Sequence, residues 1–397
     1  MTSTLAASRH DAGLDGIAEL CRQALVSLRR SDQRRWGEIY VRGLVTVPGR
    51  KTIQKISEIV AGSAADQSLQ QFVNQSPWEW GPVRYELAQV LSLSLSVRAW
   101  LVDEVAFPKN GRNSVGVTSQ YVPAAARRMN CQLAVALSLA GDGFSCPVNW
   151  RLMLPRCWDD DPDRRRKSHL PADERHRPAW HHLLHVIDEA VDSWGLTPPA
   201  VVLDRRHDPA VEPLLRGLED RRLRYVVRIP ADTQVRTPGG GRAAGTVRAA
   251  DLVRLSAHDR VMLPVPARAG ERGPGSYVVS VPVPEGGPED GPVRASRTGR
   301  RLVVRRRRGR EQPCGTWTTN LGATRLPEMV ALAGMQDRAR ADAADLEHGS
   351  GLQHFEGRSY RGWHHHVTLA SVAHASRLLD AGRGGSTRIR ADVWDVS

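Results

Sequence analysis

The chain has 397 residues, of which 41% are apolar and 25% are charged. This length allows two or three domains, and this composition excludes a disordered or fibrous chain. The net charge of +13 indicates a polyanionic partner, most commonly nucleic acid, although a solvated basic surface is the alternative. Because no window of about 18 apolar residues occurs, we expect no membrane-spanning segment.

The cysteines and the N-terminus indicate the cellular compartment. The five cysteines are scattered and none forms a CxxC pair, which predicts reduced thiols in a cytoplasmic protein. The first residues, MTSTLAASRHDAGLDG, lack a cationic start followed by an apolar stretch, so we expect no signal peptide.

Residues 1–95 are predicted to form a helical N-terminal region that binds DNA. LDGIAELCRQALVSL has apolar residues at helical spacing, and the basic, aromatic RRSDQRRWGEIYVRGL follows it. Arg34, Arg35 and Trp36 are the candidate DNA contacts in this region. An ordinary helical cap fits the same pattern, so both interpretations stay open.

Residues 96–230 show a strand-rich pattern. RAWLVDEVAF, SVGVTSQYV, NCQLAVALSLA and GFSCPVNWRLML predict four strands, and residues 155–178 form a long polar connection. The helix AWHHLLHVIDEAVDSWG, the strand AVVLD, the helix PAVEPLLRGLEDRRL and the strand YVVRIP come next. Strand, helix and strand in this order predict a parallel crossover and an α/β fold.

Residues 231–318 are rich in Gly, Pro and Arg and predict a β-rich insertion, with strands in SYVVSVPV and RLVVRRRRGR. The run RRRRGR at 305–310 fits either a DNA backbone contact or a solvated edge strand. Residues 319–397 are predicted to be the C-terminal helical part, with helices at 324–350 and from Ser359 to Leu379.

Two acids lie where a metal site is expected in an α/β sheet. Asp103 is within the first predicted strand and Asp204 ends a later one, and ligands gather at the carboxyl ends of parallel strands. Two carboxylates there provide the oxygen ligands that Mg²⁺ prefers, and metal ions assist phosphoryl transfer. Glu104 is adjacent to Asp103 and, by strand alternation, faces the other side of the sheet.

Two further clusters have alternative interpretations. Lys109 and Arg112 follow the first acid and fit either phosphate contacts or a surface turn. His364, His365 and His366 resemble a metal cluster. However, consecutive helical residues point about 100° apart, so all three cannot bind one ion.

Four blocks of the sequence resemble the DDE-superfamily transposases of bacterial insertion sequences. They are DEVAFPKNGRNSVGVTSQY, RRMNCQLAVALS, LPRCWDDDPDRRR and GLQHFEGRSYRGWHHHVTLASVAHA. Together with QSLQQFVNQSPWEWGPVR, they are similar to the 701 group of insertion sequences over roughly residues 30–375.

This resemblance implies an RNase H-like, mixed-sheet catalytic core interrupted by the β-rich insertion. It also implies cleavage and strand transfer at double-stranded transposon ends, dependent on Mg²⁺ (or Mn²⁺), by a homo-oligomer located in the cytoplasm at the nucleoid. The first and second metal-binding catalytic aspartates fall on Asp103 and Asp204. The family's Asp-x-x-Tyr-Gly pattern here reads DRRHD, so His207 and Asp208 replace the Tyr and the Gly.

The third acid departs from the family pattern. The usual Arg-Trp-x-Ile-Glu stretch falls on QDRAR, where Asp337, Ala339 and Arg340 hold the Trp, Ile and Glu positions. At 4 Å and an effective dielectric near 20, a guanidinium and a divalent ion repel each other by about 8 kcal/mol.

A neighbouring acid is an alternative third ligand. Glu347 lies two helical turns after Arg340, and Glu356 lies in the GLQHFEGR block; Asp337 and Asp342 are further alternatives. The sequence therefore predicts a DNA-binding, transposase-like protein with a DDE site that is degraded at the third acid. An inactive or domesticated DNA-binding derivative is the alternative, and a protein–protein scaffold is a third hypothesis.

Overall fold

The computed structural model describes most of the chain. The described residues are 15–62, 65–208, 210–236, 246–255, 261–265, 276–283, 299–309 and 312–391. Within them, the side chains of 253–255, 341–345 and 383–391 are not described. Some features predicted from the sequence, including Arg310 and the side chain of Asp342, fall outside the described residues.

The N-terminal region is helical throughout its described part. Its helices are α1 (15–24), α2 (Ser31–Thr46), α3 (Ile53–Ile56), α4 (Asp66–Asn74) and α5 (Trp80–Ser94). On α4, the apolar residues Leu69, Phe72 and Val73 recur at helical spacing, and all three are buried. The Thr52 side chain accepts a hydrogen bond from the Lys55 amide and caps α3.

Among the described residues, a ten-stranded mixed sheet forms the centre of the protein. Its first strands are β1 (Ala99–Pro108), β2 (Thr118–Val122), β3 (Arg127–Gly141), β4 (Phe144–Met153), β5 (Val201–Asp204) and β6 (Tyr225–Arg228). The strand β3 is antiparallel to β1 on one side, and β2 and β4 share its other side. β5 lies parallel to both β1 and β6. The predicted parallel crossover and the RNase H-like α/β class are confirmed.

The segment 231–318 extends this sheet. Its elements are β7 (Gln234–Arg236), β8 (Thr246–Arg248), α10 (Ala249–Leu255), β9 (Val261–Val265), β10 (Ser276–Pro282), β11 (Arg301–Arg307) and β12 (Gly315–Thr319). β12 pairs antiparallel with β6, and β11, β10 and β9 follow outward, while β7 and β8 form a separate pair. The segment is rich in strands, as its sequence predicts, and most of these strands continue the core sheet.

Helices cover the sheet and fill the connections. They are α6 (Arg156–Asp159), α7 (Pro162–Lys167), α8 (Ala179–Asp188), α9 (Glu212–Asp220), α11 (Leu326–Gly349) and α12 (Tyr360–Ala391). The polar connection at 155–178 thus contains two short helices. The last helix extends further along the chain than the sequence pattern predicts.

Alternate residues of β1 belong to two different apolar clusters. Trp100 and Val102 pack in the larger cluster, and Leu101 packs with Val202 and with Met335 of α11 in the smaller one. Successive strand residues point to opposite faces of a sheet. Asp103 therefore continues the face that α11 covers, and Glu104 continues the other face.

The three consecutive histidines of α12 are buried and have separate partners. The Nδ1 atom of His366 lies 2.9 Å from the Tyr40 hydroxyl, and the ring nitrogens of His365 lie 2.8 and 2.9 Å from the carbonyl oxygens of Val73 and Trp78. Burial lowers the pKa of both histidines to about 4. These contacts join α12 to the N-terminal helices.

None of the five cysteines, all of which the structure describes, forms a disulfide. Within the described ranges, no helix is long and apolar enough to cross a membrane.

Candidate functional site

Asp103 lies in the middle of β1, just after the part of this strand that pairs with β5, and Asp204 ends β5. Val102 of β1 pairs with Leu203 of β5, so the next position in this register places Asp103 beside Asp204. Both residues line one cleft with a volume of about 720 Å³. The structure therefore brings together the two acids that the sequence analysis singled out.

Asp103 is held by α11. Its Oδ1 atom accepts a hydrogen bond of 2.8 Å from the amide of Gln336. Burial raises the pKa of Asp103 to about 6, and the nearby positive charge of Arg340 and the Gln336 hydrogen bond oppose this rise. The carboxylate thus lies in an environment that favours its protonated form more than water does.

Asp204 is surrounded by guanidinium groups, and its side chain is only 2% exposed. Arg206 donates to it through Nε, at 2.8 Å from Oδ2, and also through Nη2 and its backbone amide. Nη1 of Arg228 lies 3.9 Å away, and Arg340 forms an ion pair with Oδ2. Burial alone would raise the pKa of Asp204, but the Arg206 hydrogen bonds and the Arg340 charge bring it below its ordinary value.

Arg340 reaches Asp204 because of its place on α11. Gln336 and Arg340 are four residues apart and so lie on the same face of the helix. One contacts Asp103 and the other contacts Asp204. The residue at the expected position of the third acid is therefore an arginine whose guanidinium directly contacts the second acid.

Glu104 belongs to a separate ionic cluster. Its carboxylate pairs with Arg205, and Nη2 of Arg205 lies 2.6 Å from Oδ2 of Asp208. Asp208, at the position where the resemblance implies a glycine, thus provides a second acid for Arg205.

The alternative third acids lie in different places. Glu347 lines the same cleft as Asp103, accepts a hydrogen bond of 2.6 Å from Gln353, and has a pKa raised by burial. Glu356 forms an ion pair with Arg50 and lines a different cavity. Asp337 lies 3.5 Å from Arg228. Of these three, only Glu347 shares a cleft with the two aspartates.

The N-terminal DNA-contact candidates lie together on α2. Arg34 donates to the carbonyl oxygens of Leu28 and Arg29, so its guanidinium caps the preceding segment. Arg35 is exposed, and its guanidinium carbon lies 5.5 Å from the ring centre of Trp36, which packs partly against the core. Arg34 and Arg35 are therefore both exposed, and the guanidinium of Arg34 is engaged by backbone carbonyl oxygens.

The other two candidates differ in accessibility. Arg112 is exposed on the turn after β1. The Lys109 ammonium donates a hydrogen bond of 2.6 Å to the carbonyl oxygen of Phe355, and burial lowers the pKa of Lys109 to about 8. This internal contact makes Lys109 a weaker candidate for phosphate binding than Arg112.

Three residues that contact the acids are not predicted from the sequence: Arg206, Arg228 and Gln336. The two arginines of DRRHD directly follow Asp204 and were a visible signal. Arg228 ends β6 and is the register partner of Asp204, which only the strand pairing reveals. Nothing in the local sequence pointed to Gln336.

Residues 24–269 match the protein-family model described as DDE superfamily endonuclease, which is more than half of the chain. The matched segment contains Asp103 and Asp204 but ends before α11. Comparison with curated proteins found no match.

Such endonucleases generally use divalent metal ions, but the residues around Asp204 do not fit one as they are arranged. Two carboxylates are present, yet the guanidinium of Arg340 contacts one of them. Among the residues that the structure describes, no group of three His, Cys, Asp or Glu side chains is placed to hold a metal ion. No step that uses a metal ion follows from this arrangement.

Proposed function

Because the chain belongs to the DDE superfamily of endonucleases, whose substrate is DNA, we propose that it is a transposase-like protein of the 701 group of insertion sequences. In this proposal it binds double-stranded DNA without cutting it. The observation that carries the proposal is the ion pair between Arg340 and Asp204, at the position where the family has its third acid. The phosphoryl-transfer centre is closed by this ion pair.

The positive charges around Asp204 close the site to a divalent metal ion. Arg206 already donates to both oxygens of this carboxylate, and Arg228 and Arg340 add two further positive charges. A divalent cation at this carboxylate would have to displace a hydrogen-bonded guanidinium and then lie beside the others. Repulsion between like charges in a partly buried site opposes that exchange.

DNA binding is supported by charge and by descent. The net charge of +13 attracts a polyanion, and Arg35 and Arg112 are exposed cations on two different elements. Binding as a homo-oligomer to transposon ends, and a location at the nucleoid, belong to the same proposal and rest on the family resemblance.

The test is a nicking assay on supercoiled plasmid with Mg²⁺ or Mn²⁺. We expect no metal-dependent nicking by the wild type. Arg340→Glu removes the guanidinium and restores a third carboxylate, so we expect Mn²⁺-dependent nicking to rise above background. Mn²⁺ binding, measured by electron paramagnetic resonance, should rise with it.

Arg340→Gln is the matched control, since it removes the charge without adding a ligand and should stay inactive. Wild-type nicking that Asp103→Asn abolishes would contradict the closed site. An Arg340→Glu variant that is folded but does not bind Mn²⁺ would show that Arg340 is not what closes the site.

A working transposase with a substituted third acid is the second candidate. It is favoured by Glu347, which lines the same cleft as Asp103 and Asp204. Under this candidate, the wild type nicks DNA, and Glu347→Gln and Asp103→Asn each abolish the activity. Glu356→Gln, which alters a carboxylate in the other cavity, should leave the activity unchanged.

A further inference from the structure

We propose that the cleft beside Asp103 binds a linear alkyl polyamine, with one ammonium group at Asp103, another at Glu347, and the methylene chain against the apolar walls between them. This site shares the cleft of the two aspartates, but neither DNA binding nor catalysis is needed for it, so binding measured without DNA tests it separately.

The cleft has the size and lining of a small-molecule site. Its volume of about 720 Å³ lies within the range of about 300–1,000 Å³ that is typical of ligand pockets. Apolar side chains from four elements line it, including Val105, Leu133, Trp150 and Leu346. An extended methylene chain can bury apolar surface against such walls.

The ionic groups of the cleft favour a cationic ligand. The lining contains five acids and two arginines, and these are Asp103, Glu104, Asp204, Asp208, Glu347, Arg205 and Arg340. Arg205 is shared by Glu104 and Asp208, and Arg340 pairs with Asp204, which Arg206 also neutralises from outside the lining.

Within the described residues, Asp103 and Glu347 are the two lining acids that form no direct ion pair, although the charge of Arg340 acts on Asp103 from nearby. Their hydrogen-bond partners are the neutral amides of Gln336 and Gln353. An anion would meet an excess of negative charge in this cleft, whereas an ammonium group would reduce that excess.

The spacing of the two acids favours a long ligand over a single ion. Asp103 is hydrogen-bonded to Gln336 of α11, and Glu347 lies eleven residues later on the same helix. Eleven helical residues span about 16 Å along the axis, so the two acids lie at different places along the cleft. The separated charges of a polyamine such as spermidine suit this arrangement better than a single ion does. The predominantly apolar walls between the acids match the methylene segments of such a chain.

The experiment is isothermal titration calorimetry of the full-length protein with spermidine at pH 8, without DNA. We expect a dissociation constant on the order of 100 µM. Glu347→Gln should weaken binding at least about fivefold, because one charge pair is lost. Glu58→Gln is the matched control, since Glu58 also accepts a hydrogen bond from a glutamine amide but lies outside the cleft. This control should bind as the wild type does.

Two further ligands separate the sources of affinity. Octylamine has the apolar chain but one charge, and Mg²⁺ has the charge without the chain, so both should bind at least tenfold more weakly than spermidine. Equal binding by the Glu347→Gln and Glu58→Gln variants, or Mg²⁺ binding as tight as spermidine binding, would overturn the proposal. Circular dichroism of each variant establishes that the fold is kept.

Discussion

Asp103 shows what holds a carboxylate within a largely buried strand. Leu101 and Val102 immediately before it are buried, and Gln336 donates a hydrogen bond to its carboxylate. A neutral donor satisfies one oxygen but does not balance the charge, so burial still raises the pKa of Asp103 to about 6. This residue therefore costs stability when it is ionised.

Asp103→Asn should stabilise the protein at pH 7 by about 1–3 kcal/mol. The folded pKa of Asp103 is above its ordinary value of 3.8, so the folded state binds more protons between about pH 4 and pH 6. The free energy of unfolding should therefore decrease in this window as pH rises. The Asn side chain does not titrate, so Asp103→Asn should remove this decrease. Urea unfolding at pH 4 and pH 7 measures it.

Asp160→Asn is the control for this prediction, since Asp160 is exposed and its replacement should change the free energy of unfolding by less than about 0.5 kcal/mol. A wild-type protein that is equally or more stable than Asp103→Asn at pH 7 would contradict the environment described for this carboxyl group.

At the scale of elements, one buried arginine joins α5 to β4 and α12. The Arg84 side chain donates to the Thr368 hydroxyl at 2.8 Å, to the Trp150 carbonyl oxygen at 2.7 Å and to the Asn149 side chain at 3.2 Å. Its Nη2 atom lies 3.0 Å from Nδ1 of His364. Burial lowers the pKa of Arg84 to about 10, which still leaves it charged at neutral pH.

Arg84→Ala should lower the free energy of unfolding by about 3–5 kcal/mol, because it leaves several buried acceptors without a donor. Arg84→Lys should restore little of this lost stability, since an ammonium group cannot reproduce the planar set of donors of a guanidinium. Arg98→Ala, which breaks an exposed ion pair with Asp142, should cost at most about 1 kcal/mol. Chemical denaturation compares the three variants, and equal losses in Arg84→Ala and Arg98→Ala would refute the role of Arg84.

At the scale of the whole molecule, the net charge of +13 predicts how DNA binding depends on salt. With six to ten phosphate contacts, affinity for a duplex should fall about 10³–10⁵-fold between 50 and 200 mM salt. Arg35→Ala should reduce the slope of log affinity against log salt by about one, because one phosphate contact is lost. Fluorescence anisotropy with a labelled duplex measures the slope.

Arg98→Ala serves here as the control, because Arg98 already pairs with Asp142 and lies outside α2, which carries Arg35. A binding curve that does not respond to salt would favour a protein–protein scaffold over a DNA-binding protein.

The sequence by itself determined the class of fold and predicted two metal-binding acids. Apolar periodicity located the strands and helices, since burial of apolar faces dominates local structure. The resemblance of four sequence blocks located Asp103 and Asp204. It also predicted that Arg340 occupies the position of the third acid, because the replacement of a glutamate by an arginine can be read directly from the sequence.

Only the tertiary structure decided what these residues contact. The guanidiniums around Asp204 come from β6, α11 and the turn after β5, and Gln336 reaches Asp103 from far along the chain. The tertiary structure also places Glu347 in the cleft, whereas Glu356 pairs with Arg50 elsewhere. The physical reason is that electrostatic partners are set by strand register and helix packing, which join residues distant in sequence and leave no local pattern.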